Sequence, residues 1–508
     1  MCYSPITICN KSRYRNLYLS PVEYFVPCGN CADCRSTRQS DWRVRLAHEI
    51  SYTYDNNGTV LMLLLSYNDD NLPKIAYPQS DGTLSAPTPC FSREDITYLF
   101  NNVRTYIYEH YDKASFRFYL SSEYGEHFKR PHYHVLFFLP ACLDPHDFYD
   151  VVLMFWENKG FLFPKRVSHG VYSRYNKVKK CHEPAFITLR NLKGSANYVS
   201  KYVTKDLSYF ALPVVNDFYH NVCPELSKEM KSRDTLRFYK RSLPFFRCSK
   251  GLGFCMTYGK SLSDLKDMIL NGVANPITLR VEKFPSSILR RLMYRNVKTD
   301  NVSLLTGKPI YEPHLSCLGR RLMPSVFRAR YSTYSDSYRK IMSSRVDLLQ
   351  YCKLSSVNYS ELHSLFIECE QYFKLIKPNY SIYDGLSTLK IGTSSLSDFA
   401  WCFLHTYSFE NDIFDFEFVL PYLLLQKKLP DIQIINLDDV VSFDWLDHRS
   451  KVYDSDFHFV SPKASVFYQK MLLLLSLLDS IRITVNSLNA EKREKDFREV
   501  TRVKSLFY

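Results

Sequence analysis

Two pairs of residues in this chain have types and spacing that offer chemistry. His132 and His134 sit two apart in RPHYHVLFF, and Tyr198 and Tyr202 sit four apart in NYVSKYVTKD. The first run is rich in Phe, Val and Tyr and reads as a β-strand. On a strand, residues i and i+2 share a face, so the two imidazoles project side by side while Tyr133 and Val135 point away. Neutral imidazole is a common ligand for divalent metals, and two on one rigid face make half of a metal site. The alternative is a pair of partly exposed, hydrogen-bonded strand residues. Upstream, SFRFYLSSEYG reads as a strand running into a turn around Gly125, and hairpin pairing would bring Glu123 toward both histidines. Two imidazoles and one carboxylate with open positions suit Mg²⁺ or Mn²⁺ bound together with a phosphate oxygen. Glu126 and His127 are alternative ligands, but they fall in the turn, where solvated side chains are the default.

The tyrosines supply the other half of such a chemistry. Ser195 or Asn197 can start a helix after the strand AFITLR. At ~100° per residue, Tyr198, Lys201, Tyr202 and Lys205 fall within roughly a third of the helix circumference. The spacing alone proves nothing in a chain with 39 tyrosines. What sets this pair apart is the two lysines on the same face and the position after the histidine strand. A phenol is a weak nucleophile at neutral pH, and nearby ammonium groups or a metal favour its phenolate.

The elements that must position these residues follow from periodicity. GTVLMLLLSYNDDNLP reads as a strongly apolar strand ending in a Pro turn. REDITYLFNNVRTYIYEHY, with Ile96, Leu99, Val103 and Ile107 at helical spacing, reads as an amphipathic helix. Strand, helix, strand, strand is an α+β order with a mainly antiparallel sheet. Charge narrows the partner. The formal net charge is +14. Residues 1–300 hold 41 Lys and Arg against 28 Asp and Glu, whereas residues 301–508 hold 25 against 24. The excess sits with the histidine pair, and the simplest partner for it is nucleic acid; a solvated basic face is the plainer reading.

Five of the 15 cysteines lie within the first 34 residues. Cys28, Cys31 and Cys34 form C-x2-C-x2-C, whose close spacing lets several thiolates converge on one tetrahedral ion. With Cys2, preferred over Cys9, as fourth ligand, this reads as structural Zn²⁺. An iron–sulfur cluster lacks its usual fourth cysteine before proline, and unligated thiols are the remaining alternative. The RSTRQSDWRVRLAHE that follows reads as a basic amphipathic helix.

Length points to more than one core. The expected division is a Cys-rich segment with its basic helix at 1–57, a catalytic domain at 58–260 and a mainly helical region of unassigned role at 261–508. The start of the chain has no apolar signal core, and MLLLLSLL from Met471 is too short for a membrane span, so it reads as a buried helix and the protein as neither secreted nor membrane-bound. GFCMTYGKS places five residues between Gly253 and Gly259 where a phosphate loop requires four, and its bulky side chains suit a phosphate cradle poorly.

PHYHVLFF preceded by SSEYGEHFKR, then YVSKY with the second lysine in VTKD, resembles the HUH endonucleases with paired tyrosines. The resemblance is nearest to replication initiation proteins of gokushovirus-like microviruses, and CGNCADCR…DWRVRLAHE is similar to that group as well. It covers roughly residues 1–260. It implies an HUH endonuclease-like antiparallel sheet flanked by helices, with His132, His134 and Glu123 as metal ligands and Tyr198 and Tyr202 as nucleophiles. These would nick origin DNA through a 5′-phosphotyrosine, leave a 3′-OH for rolling-circle synthesis, and alternate on the regenerated origin, with Lys201 and Lys205 on the DNA. It further implies a phage-encoded protein in the host bacterial cytoplasm; with the phosphate loop rejected, any unwinding needed would come from a host helicase. Ser66 in LLLSYND stands where threonine is usual in the family's first strand motif. The rival readings are a noncatalytic single-stranded DNA binding or packaging protein and a metal-dependent phosphoesterase that uses water; an HIT-type pattern is excluded by Leu136.

Overall fold

The computed structural model describes residues 32–125, 128–176, 179–189, 212–222, 243–302, 309–376 and 381–387, with 6–9, 23–26, 307 and most of 470–495 in shorter pieces. Two compact units divide the chain. One comprises Ser36–Lys260 and Val273–Ile288; the other comprises Met1–Arg35, Ser261–Gly272 and Leu289–Tyr508. Strands β1 (Ile6–Cys9) and β2 (Glu23–Val26) pair antiparallel in the second of these.

The first unit is built on alternating apolar sequence. After helix α1 (Ala32–Asp55) come β3 (Thr59–Tyr67), the short pair β4 (Lys74–Ile75) and β5 (Thr88–Pro89), and α2 (Arg93–His110). Then follow β6 (Arg117–Tyr124), β7 (Pro131–Leu139), α3 (Pro145–Trp156) and β8 (Gly160–Phe163). A far segment, β12 (Phe246–Cys248), completes an all-antiparallel sheet in the order β12-β6-β7-β3-β8. The fold is therefore α+β, as the sequence pattern requires.

One face of this sheet is mostly apolar. Leu61, Leu63 and Leu65 of β3, Phe118 and Leu120 of β6, and Tyr133, Val135 and Phe137 of β7 pack against Ile96, Leu99, Phe100, Val103 and Ile107 of α2 and against α3. The helical spacing of α2 thus becomes its buried stripe. Ser92 caps it by accepting from the Asp95 N–H, satisfying one of the open donors of the first turn. The opposite face is covered at one end by α1, where Trp42, Leu46, Ala47 and Ile50 meet Val60, Tyr119, Leu136 and Phe138.

A buried carboxylate fastens α1 to the loop after β12. Glu49, 1% exposed, pairs with Arg117 and accepts from the Gly253 N–H at 2.6 Å. Arg45 donates to Leu252 O at 3.0 Å and lies over the Trp42 ring. Gly253, at φ +80°, is where that loop touches the Arg45 backbone, and a Cβ there would fall 2.8 Å from Arg45 Cα. Glu49→Ala is expected to cost about 3 kcal/mol in denaturant unfolding, because it strands the partners of a buried charge. Burial pushes the Glu49 carboxyl up from its ordinary 4.5, against the pull of Arg117. A raised folded-state value favours folding at acid pH, and this contribution is lost as pH rises through that value. The stability of the wild type relative to Glu49→Gln should therefore fall as pH rises from that ordinary value toward neutrality. A flat difference would separate Glu49 from this role.

Beyond β8 the chain makes a second antiparallel sheet of β9 (Lys165–Ser168), β10 (Val171–Asn176) and β11 (Cys181–Ala185), in the order β11-β10-β9. It then returns to β3, where Met62 N donates to Ile187 O at 2.8 Å and Leu189 N to Val60 O at 3.0 Å. The strand expected over AFITLR is in this way divided between the end of β11 and a short bridge to β3.

In the other unit, a hairpin of Tyr294–Val302 and Pro309–Leu315 precedes helices at Cys317–Met342, Arg345–Leu354 and Tyr359–Ile376. The apolar run from Met471 is a buried helix: Met471, Leu474, Leu475, Leu478 and Ile481 join Tyr338, Leu348 and Leu362 in one core. Tyr338 donates to Asp479 Oδ1 at 2.9 Å, and Arg482 Nε donates to the same oxygen. Among the described residues, no helix is long and apolar enough to cross a membrane.

Candidate active site on the open end of the sheet

The β6–β7 hairpin sets Glu123 directly opposite His132 and Ser121 opposite His134, while β3 sets Ser66 opposite His132 and Leu64 opposite His134. Directly paired residues in an antiparallel sheet project from the same face. Glu123, His132 and Ser66 therefore form one row across three strands, with Ser121, His134 and Leu64 as the next. Both rows belong to the face that α1 covers at its other end. Polar side chains collect here within an otherwise apolar sheet. Glu123, Ser121, Ser66 and His134 are all buried, and His132 is half-buried.

The carboxylate and one imidazole are already in contact. His134 Nε2 lies 2.8 Å from Glu123 Oε1, a hydrogen bond in which a ring N–H would donate to the carboxylate oxygen. Such a bond fixes the ring's orientation and leaves Nδ1 as its other nitrogen. Two nitrogen donors and one oxygen donor on one strand face are the right types for a divalent ion. Among the described residues, no three His, Cys, Asp or Glu side chains converge as a ready cluster, and His134 and Glu123 meet each other instead. The fit to a metal is one of donor type and face.

The strand is held rigid from behind. Tyr133, between the two histidines, points into the apolar core, where its hydroxyl accepts from the Ser92 N–H at 3.1 Å and lies 3.2 Å from Tyr67 OH. Tyr67 OH donates in turn to Asp95 Oδ2. The α2 cap and the histidine strand thus share one buried network, in which desolvation pushes both phenols well above the ordinary tyrosine range. At the turn, Arg130 pairs with Asp69 and donates to Tyr67 O at 2.8 Å, tying the start of β7 to the end of β3.

Gly125 leaves room for the His132 ring. A Cβ at position 125 would sit 2.9 Å from His132 Nε2 and 3.3 Å from its Cδ2. Gly125→Ala is therefore expected to move the His132 imidazole by a few tenths of an ångström while the fold persists. Histidine-ring NMR resonances of His132 should shift and those of the exposed His110 should not. Unmoved His132 signals would show that the turn absorbs the methyl group.

Hairpin register brings Glu123, His132 and His134 onto one face as the sequence suggested. Tyr198, Tyr202, Lys201 and Lys205 lie outside the described residues, as do Cys2, Cys28 and Cys31 and the alternative ligands Glu126 and His127; Cys34 is in the first turns of α1. Not foreseen were Ser121 and the steric role of Gly125. Ser121 follows from the two-residue period of Arg117, Tyr119, Ser121 and Glu123.

The stretch that builds this face has relatives. A family of replication-associated proteins, described by its ORF2 members, matches residues 79–207, a stretch that contains Glu123, His132, His134 and all four Tyr and Lys candidates. The chain is also 31% identical over 195 residues to the Replication-associated protein ORF2 of Spiroplasma virus 4. In this stretch the chain resembles viral replication-associated proteins. The alignment covers 37% of this chain and 52% of the relative, so the chain spans about half the length of the protein it matches. No solved structure matches the chain.

Proposed function

We propose that this protein initiates rolling-circle DNA replication by nicking and rejoining one DNA strand through a phosphotyrosine. The observation that carries the reading is the Glu123–His132–His134 face within a stretch similar to viral replication-associated proteins. His132, His134 and Glu123 would hold Mg²⁺ or Mn²⁺, which would make the scissile phosphate more electrophilic. Tyr198 or Tyr202 loses its proton and its phenolate oxygen attacks phosphorus. The P–O3′ bond breaks, the departing oxygen takes up a proton as a 3′-OH, and the 5′-phosphate stays on the tyrosine. Lys201 and Lys205, on the same helix face by sequence, would favour the phenolate and contact the DNA backbone. The second tyrosine would cleave the regenerated origin while the first retains its DNA end.

Several further assignments belong to this proposal. Cys2, Cys28, Cys31 and Cys34 would bind a structural Zn²⁺. Strand separation would come from a host helicase, and the place of action would be the cytoplasm of an infected bacterium.

Incubation with single-stranded viral origin DNA and Mg²⁺ tests the central claim. The expected product is a DNA–protein adduct that survives denaturing electrophoresis, together with a free 3′-OH fragment. Cut DNA bearing no protein would point to a water-using phosphoesterase. Binding without any cut would point to a packaging or protection role.

A further inference from the structure

The edge strand β8 presents two aromatic rings beside the candidate site. Its burial alternates: Gly160 and Leu162 face inward, Phe161 and Phe163 outward. Leu162 fills the apolar core, whereas Phe161 is 54% exposed and Phe163 38% exposed. Register aligns both rings with the polar rows. Phe161 is opposite Ser66, and Phe163 is opposite Leu64. The row Glu123–His132–Ser66 therefore ends on Phe161, and the row Ser121–His134–Leu64 ends on Phe163. With strands ~4.8 Å apart, the rings stand about 10 Å from the imidazoles, on the same face. Their centroids are 6.4 Å apart and tilted by 52°, so neither ring is stacked flat upon the other. At the opposite end of the second row, Phe246 packs edge-on against Trp42 at 5.3 Å, whereas the β8 rings lie at the other edge of the sheet.

The surrounding charge indicates what such rings would meet. Residues 160–185 contain six Lys and Arg and one acidic residue, Glu183. Lys165 and Arg166 follow β8 after Pro164 and are exposed. Arg166 pairs with Asp150, and Glu183 is shared by Lys179 at 2.9 Å and Arg174 at 3.9 Å. The segment that carries and follows the two apolar rings thus keeps a positive balance along the sequence. A polyanion with flat faces, single-stranded DNA, satisfies both features, because unpaired bases stack on aromatic rings while the backbone follows basic side chains. A duplex keeps its bases stacked on one another and offers the rings no free base.

We infer that Phe161 and Phe163 form a base-stacking platform that seats bases of a single DNA strand beside the His132–His134–Glu123 face. This inference rests on the proposed strand-nicking function for its choice of DNA, while its test depends only on binding. The function of the platform is to fix which phosphate arrives over the imidazoles. Stacking tolerates any base, so the platform supplies position rather than sequence choice.

Fluorescence anisotropy with two strands of equal length, oligodeoxythymidylate and its fully abasic counterpart, separates stacking from charge. The wild-type protein is expected to prefer the strand with bases by about tenfold or more, the effect of one or two stacked bases. Phe161→Ala/Phe163→Ala should bring that preference close to one, with the salt dependence of binding unchanged, since phosphate contacts set that slope. Phe161→Tyr/Phe163→Tyr should restore it. A ratio between two strands is insensitive to the fraction of protein that is folded, so loss of active material does not imitate the result. An unchanged preference in the Ala variant would overturn the platform, as would a wild type with no preference, and the rings would then be left for a protein partner. If the preference depends on the rings but no covalent adduct forms on any strand, the platform stands and the nicking function falls.

Discussion

Tyr198→Phe/Tyr202→Phe should form no covalent DNA adduct and should cut origin DNA slower by roughly 10³-fold or more, the scale expected when a nucleophile is removed. Phe keeps the ring and removes only the attacking oxygen, so single-strand affinity should stay within a few-fold of the wild type. Each single variant should still allow one cleavage, because on the helix expected from the sequence two phenols four residues apart would be neighbours and a small shift of the strand would exchange them. Adducts trapped on each single variant and digested to peptides would show the remaining tyrosine carrying the nucleotide. Wild-type cutting by the double variant would end the phosphotyrosine reading, whatever the histidines bind.

Removing the imidazoles is expected to have a comparable effect by another route. His132→Ala/His134→Ala should lower cleavage by roughly 10³-fold, the rate equivalent of several kcal/mol of lost charge stabilisation at the phosphate. Chelation with excess EDTA should reproduce that loss, and Mn²⁺ or Mg²⁺ should reverse it only in the wild type. Glu123→Gln is the finer probe. It can still hydrogen-bond to His134 in place of the 2.8 Å carboxylate contact, yet it removes the anionic oxygen a divalent ion would take. A large loss in this variant, with melting unchanged, assigns the carboxylate to metal binding. Full activity in EDTA would leave the three residues as a structural cluster.

Local periodicity made the centre of the fold legible. The β3 and β7 runs are apolar enough to demand burial, and the stripe Ile96, Leu99, Val103 and Ile107 could only be one side of a helix. Glu123 was expected near His132 because a hairpin with a short turn fixes its own register, and the two are direct partners. The choice of His134 as the imidazole that bonds to Glu123 depends on side-chain rotamers, which spacing does not encode. The pairing of β12 with β6 was hidden for a different reason. Phe246 and Ser121 are brought together by tertiary packing across more than a hundred residues, and FRC is too short to announce a strand. Helix α3 carried readable signals in Asp144, which caps it, and Pro145 at its first turn. The sheet β9-β10-β11 did not, because its strands are mostly exposed and so lack apolar alternation.

The location of Glu123, His132 and His134 on a single hairpin bears on the order in which the protein assembles. Closing that turn brings together strands adjacent in sequence, at little loop-closure entropy, whereas joining β12 to the same sheet closes a loop of more than a hundred residues. Contacts of small sequence separation form fastest. The carboxylate can therefore meet its imidazoles at the start of folding, before the far edge strand is added, and hydrogen exchange should find the β6–β7 amides protected after those of β12 have opened. The hairpin that carries this polar face is the part of the sheet least dependent on the rest of the chain.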